Sequence, residues 1–305
     1  MSLFRSDGRY YDVNFFEYTP ADAEPESLPL SALFFKVVSL FSLGDECLDL
    51  ASKCRQWFGV NKVLWGVRKD AKGYSLEFYF YYPAKYPKNS LSSVVDFAES
   101  FYAIDIDLPE IGGDADFYLT SMNITDGVLS DINVYKSLLD PKSDPFYFED
   151  KGLIIDRNDP RFCSFSLWNV GDKPKKMNNY WGYFDGKILH RLLSRVYCLA
   201  ARKFPAEPPL KSYDFLECCY EYCRNSVFSD ALVADKDNAI GLYFLHLNID
   251  EFISFLSTHG YEAAFINYIK NNKKLFSHIK FDVGLDFYLS DGGFHIKKTA
   301  FWGTL

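Results

Sequence analysis

From Ile279 to Tyr288 the side chains alternate without a break, with Ile279, Phe281, Val283, Leu285 and Phe287 on one side and Lys280, Asp282, Gly284, Asp286 and Tyr288 on the other. Successive side chains of an extended strand point to opposite faces, so this segment must lie between an apolar layer and a polar one. The same pattern recurs from Tyr74 to Tyr82, where Leu76, Phe78 and Phe80 oppose Ser75, Glu77, Tyr79 and Tyr81. It recurs again where Ile132 and Val134 oppose Asp131, Asn133 and Tyr135. Strands of this kind belong to an antiparallel sheet with helices on one face only.

Turn signals join these runs into hairpins. Lys69 to Gly73 links Val63–Arg68 to Tyr74–Tyr82, and Thr125-Asp126-Gly127 links Phe117–Ile124 to Val128–Lys136. A third pair is read at Gly152–Ile155 and Phe162–Val170, followed by a loop from Gly171 to Gly186. Asp235 to Asn238 links Val227–Ala234 to Ala239–Asn248, and Asp291-Gly292-Gly293 turns Ile279–Tyr288 back toward Trp302. Helical spacing is read over Leu28–Phe58, Ser92–Tyr102, Lys187–Lys203, from Tyr213 to Arg224, and over Ile249 to about Phe276.

Five hairpins give about ten strands, more than an open twisted sheet holds comfortably. Closure removes the edges. The fold class is therefore α+β: an antiparallel β-barrel of about ten strands formed by five hairpins and surrounded by helices. Residues 1–27 read as an irregular lead-in and 28–305 as a single barrel domain.

The 305 residues carry 29 Phe and 22 Tyr, too aromatic for a disordered chain. A net charge of −8 argues against a nucleic-acid or anionic-membrane surface. The apolar stretch from Leu28 to Leu43 is interrupted by Lys36 and too short to span a bilayer, and the N-terminal residues lack the apolar segment of a signal peptide. With seven cysteines, an odd number, free thiols in a reducing cytoplasm are expected.

Short motifs exclude more than they assign. Gly182 to Ile188 has the wrong spacing for a phosphate-binding loop, and neither H-E-x-x-H nor G-x-S-x-G occurs. Cys218, Cys219 and Cys223 lack the spacing of a metal site, Asp45, Glu46 and Asp49 read as a solvated helix face, and Asp235 and Asp237 as turn residues. No metal site is expected. His246 and His295 lie on strands that could face a lumen.

The informative residues are dispersed. Arg68, Lys280 and Lys297 lie on hairpin strands, as do Glu77, Asp131, Asp282 and Asp286, accompanied by Tyr79, Tyr81, Tyr135, Tyr243 and Tyr288. Barrel closure brings them into one lumen, whereas an open sheet leaves them as a solvated face.

The succession of helices and hairpins, with Val63-Leu64-Trp65 to Phe80 and Asp131-Ile132-Asn133-Val134-Tyr135 as its strands, resembles the ABBA-type aromatic prenyltransferases. That resemblance implies transfer of an isoprenyl group from an allylic diphosphate to a small aromatic acceptor. It implies Arg68, Lys280 and Lys297 as a diphosphate clamp, Tyr79, Tyr81, Tyr135, Tyr243 and Tyr288 as an aromatic shield, and Glu77 or Asp131 as the base. No cofactor is required, with magnesium left open. The strand from Ala239 to Asn248 has no Lys or Arg, and Asp114 follows Gly112-Gly113, so the cationic ring is incomplete on this reading.

Two other classes stay open: a non-catalytic carrier of an apolar ligand, and an acidic protein-interaction module. Three or more convergent lumen cations favour the enzyme, an uncharged lumen the carrier, and a filled one the interaction module. The cysteine reading is testable by alkylation under non-reducing conditions followed by mass spectrometry. All seven thiols should be labelled; a native disulfide contradicts it.

Overall fold

The computed structural model describes residues 27–28, 30–59, 63–81, 90–103, 118–137, 162–170, 175–184, 189–204, 230–290 and 293–304. The strands are β1 (Val63–Asp70), β2 (Gly73–Tyr81), β3 (Tyr118–Thr125), β4 (Val128–Ser137), β5 (Phe162–Val170), β6 (Lys175–Phe184), β7 (Asp230–Lys236), β8 (Ala239–Leu247), β9 (Lys280–Ser290) and β10 (Gly293–Thr304). Each pairs antiparallel with its sequence neighbours, and β1 also pairs with β10, with Gly66 opposite Trp302 and Arg68 opposite Ala300. The sheet thus curls round on itself. Its described hairpin turns, at 71–72, 126–127 and 237–238, gather at one end.

The alternation decides which face is outside. Phe78, Phe80, Phe281 and Leu285 are all buried, on the side that receives the helices. The helices are α1 (Leu30–Leu40), α2 (Glu46–Phe58), α3 (Leu91–Tyr102), α4 (Leu189–Lys203), α5 (Ile249–Thr258), α6 (Ala263–Asn271) and α7 (Lys273–Phe276). Phe34 of α1 meets Trp65 of β1 edge-on at 5.3 Å, and Phe58 of α2 packs on Phe80 of β2 at 4.7 Å. Phe252 of α5 stacks on Phe281 of β9 at 3.8 Å and 6°. Aromatic pairs of this kind give more than their buried area alone.

Local chemistry sets the element ends. Asp126 and Gly127 have φ of 53° and 74°, the two positive values that a tight hairpin turn requires. Asn248 caps α5 in a reciprocal box, its side chain accepting from the Glu251 N–H at 3.1 Å while Glu251 accepts from the Asn248 N–H at 2.8 Å. The helix expected over Leu28–Phe58 is two helices, because Ser42 (φ 54°) and Gly44 (φ 85°) take left-handed backbone between α1 and α2.

The third hairpin also differs from the sequence reading. The partner of β5 is β6, within the stretch read as a loop, where Lys175, Lys176, Asn178 and Asn179 around a lone Met177 conceal a strand that has consecutive apolar residues only from Tyr180-Trp181. The readings at 1–26, Gly152–Ile155 and Tyr213–Arg224 lie outside the described residues, as do Cys218, Cys219 and Cys223; Cys47 and Cys54, both buried, are free thiols.

Inside the barrel, large rings sit beside vanishingly small neighbours. A Cβ on Gly284 would lie 2.4 Å from Tyr243 Cδ1, and one on Gly66 2.0 Å from Trp302 Cδ1. Gly284→Ala is therefore expected to lower the unfolding free energy by about 1–3 kcal/mol through overpacking. Urea denaturation measures this, and an unchanged midpoint would show that Tyr243 is not held against β9.

Candidate active site in the barrel lumen

The inward residues enclose a cavity of about 270 Å³. They fall into tiers along the barrel axis. Near the hairpin turns lie Arg68, Glu77, Asn123, Asp131, Asn178, Lys236, Asp286 and Lys298, and toward the far end lie Leu64, Leu119, Leu232, Leu245 and Asp282. Between them stands a closed ring of five aromatic side chains, one from each even-numbered strand.

Its members are Tyr79, Tyr135, Tyr180, Tyr243 and Trp302. Around the ring the centroid separations are 5.9, 5.7, 6.0, 6.0 and 6.0 Å, the last from Trp302 back to Tyr79. A pentagon with such sides leaves its centre about 5 Å from each centroid, within the range at which a ring face attracts a cation. Burial pushes the phenols of Tyr79, Tyr135, Tyr180 and Tyr243 well up from their ordinary value of 10.0, so the ring is neutral at physiological pH.

Ion pairs organise the tier beside it. Lys236 Nζ donates to Asp286 Oδ1 at 2.7 Å and Oδ2 at 2.8 Å, and to the Tyr243 hydroxyl at 2.5 Å. Lys298 lies 3.3 Å from Asp286 Oδ2. Arg68 lies 3.6 Å from Glu77 Oε1 and donates to Ser75 Oγ at 3.0 Å, while the Tyr79 hydroxyl donates to Glu77 Oε2 at 3.0 Å. Asn123 Nδ2 donates to Asp131 Oδ2 at 3.1 Å. The two lysines hold the Asp286 carboxyl below the usual carboxylate range, outweighing the opposing effect of its burial. The indole N–H of Trp302 is buried with no hydrogen-bond partner among the described residues.

Of the sequence-predicted residues, the lumen brings together Arg68, Glu77, Asp131, Tyr79, Tyr135 and Tyr243. Lys280 and Lys297 do not join them. Lys280 is exposed at the first position of β9, opposite Thr304 and beyond the cavity's end. Lys297 is the extra residue of a bulge between Ile296 and Lys298, which exposes it and gives the inward place opposite Asp286 to Lys298. Tyr288 stacks on His295 at 5.3 Å and is not among the lining residues; the side chain of Tyr81 lies outside the described residues. His246 is exposed at the far mouth, its Nδ1 3.0 Å from Asp230 Oδ2.

Sequence reasoning missed Lys236, Lys298, Tyr180 and Trp302. Lys236 is inward because Asp235 points outward to Arg202 and Lys203 of α4, which extends β7 into the segment read as a turn. Among the described residues, no three His, Cys, Asp or Glu side chains are grouped to hold a metal ion, and no helix is long and apolar enough to cross a membrane.

No family model matches the chain. One sequence match is to a protein of Acanthamoeba polyphaga mimivirus named for a JmjC domain, 29% identical over 73 residues, which are 24% of this chain and 12% of that one. The structure is similar to that of 5-dimethylallyltryptophan synthase from Streptomyces coelicolor, with a TM-score of 0.51 and 9% identity over 89% of this chain and 95% of the other. The chain therefore has the fold of the ABBA-type prenyltransferases: a curled antiparallel sheet with helices outside and its candidate site within.

The ring phenols bind their protons more tightly in the folded barrel than in the unfolded chain, where they titrate near 10.0. The resulting stability is complete below that pH and is lost as pH rises through the raised values. In an alkaline absorbance titration, at least these four phenols should ionise only as the protein unfolds. Full, reversible ionisation near pH 10 with the fold intact would contradict the buried ring.

Proposed function

We propose that the protein is an aromatic prenyltransferase-like enzyme that transfers an isoprenyl group from an allylic diphosphate to a small aromatic acceptor inside the barrel. The observation that carries this reading is the contact between the two tiers: Lys236 Nζ is bonded to the Tyr243 hydroxyl and lies 5.2 Å from the centroid of that ring. A diphosphate held by Arg68, Lys236 and Lys298 would have its allylic carbon at the ring of five aromatics. The structural neighbour's name, a synthase of 5-dimethylallyltryptophan, supports the same chemistry.

The roles follow from charge. The allylic carbon–oxygen bond breaks with its electron pair leaving on the diphosphate, whose growing charge the three cations stabilise. The allyl cation is stabilised by the faces of Tyr79, Tyr135, Tyr180, Tyr243 and Trp302, which also exclude water. A carbon of the acceptor ring attacks it, and the displaced ring proton passes to Glu77, which Tyr79 and Arg68 hold in position, or to Asp131.

A second reading is favoured by one observation. The lumen's three cations face four carboxylates, Glu77, Asp131, Asp282 and Asp286, for a net charge of −1. A carrier of an uncharged prenyl compound needs no excess of cations. Calorimetry with dimethylallyl, geranyl and farnesyl diphosphates, with and without magnesium, and with the matching alcohols separates the two. The enzyme reading expects the diphosphates to bind far more tightly than the alcohols, and Lys236→Ala to cost about 1.5–3 kcal/mol of that binding. Equal affinity for alcohol and diphosphate identifies the carrier.

A further inference from the structure

We infer that Asp286 is a built-in counterion that competes with anionic ligands for Lys236 and Lys298, and so sets how strongly the lumen takes up a diphosphate. The inference rests on the diphosphate reading of the cation tier. Asp286 is 3% exposed and engages both lysines at once, Lys236 through its two oxygens at 2.7 and 2.8 Å and Lys298 at 3.3 Å. Its Oδ1 also accepts from the Tyr243 hydroxyl at 3.4 Å. A carboxylate straddling two ammonium groups in this way occupies the positions that diphosphate oxygens need.

The fold holds it there. Asp286 is directly opposite Lys298 on β10 and Gly241 on β8. A Cβ at Gly241 would lie 3.0 Å from Asp286 Oδ1, so the glycine leaves the carboxylate its place. An incoming diphosphate meets a fixed negative charge at hydrogen-bonding range of the same two lysines, and must share them with it or displace it.

Inorganic pyrophosphate isolates this effect from the isoprenyl tail. Calorimetric titration of wild type, Asp286→Asn, Lys298→Gln and the double variant Asp286→Asn/Lys298→Gln forms a double-mutant cycle. Asp286→Asn should bind pyrophosphate at least tenfold more tightly than wild type, and Lys298→Gln more weakly. The double variant keeps the buried charge balance of wild type and folds even where uncompensated lysines unfold the single one. It should bind at least as tightly as wild type despite lacking a lysine, because Lys236 is released.

Wild-type binding with no tightening in either Asp286 variant overturns the counterion role while leaving the diphosphate reading intact; Asp286 then serves to keep the lysines charged. Binding only after Asp286 is replaced supports the counterion role and removes the diphosphate reading of the native lumen. Absence of binding in all four proteins overturns both.

Discussion

Room beside the rings lets five of them share one level of the barrel, and four of the five have one cross-strand neighbour with little or no side chain. Tyr79 is opposite Ser121, Tyr180 opposite Ala234, Tyr243 opposite Gly284 and Trp302 opposite Gly66. Tyr243 and Trp302 lie over glycines on one side while their other neighbours, Leu232 and Asp282, are larger, and the rings close on one another at about 6 Å. The tiers on either side depend on this ring. It separates the ion pairs near the hairpin turns from the leucines toward the far end, and it shields those ion pairs from one side. A charged tier so enclosed interacts more strongly than it would in water.

The exterior obeys the same alternation with the opposite content. Every inward residue has an outward neighbour that must be apolar wherever a helix lies above it, and Trp65, Phe78, Phe80, Val283 and Phe301 answer that demand. Helix contact in turn fixes inward geometry. Arg202 and Lys203 of α4 draw Asp235 outward, and Lys236, one residue on, is thereby committed to the lumen. Side-chain identity on a surface helix thus reaches the candidate site through the pleat of a single strand.

The same pleat explains what was legible in the sequence. Wherever a strand ran regularly, period two placed its residues on the correct face: Glu77 and Tyr79 inward, Phe78 and Phe80 outward, Asp131 and Tyr135 inward. Where the ladder is irregular, the parity count fails by one. The bulge after Ile296 exchanges Lys297 for Lys298, and nothing local in Ile296-Lys297-Lys298-Thr299 reports which lysine is the extra residue. Lys236 was hidden by turn-like neighbours, Asp235, Asp237 and Asn238, because its strand extends further than its composition suggests. Tyr180 was hidden by the polar start of β6, and Trp302 by its place near the end of the chain. Pairing partners decide all four cases, and these lie as far as 236 residues away, as Trp302 does from its neighbour Gly66.

The measurement that bears most directly on the lumen as a diphosphate site with an aromatic shield is a crystal structure with a dimethylallyl thiolodiphosphate, which resists cleavage. The account predicts phosphate oxygens within hydrogen-bonding range of Arg68, Lys236 and Lys298, and the five-carbon group inside the ring of Tyr79, Tyr135, Tyr180, Tyr243 and Trp302. A ligand bound outside the barrel, or lying among Leu64, Leu119, Leu232 and Leu245 with its diphosphate away from the cations, would contradict it.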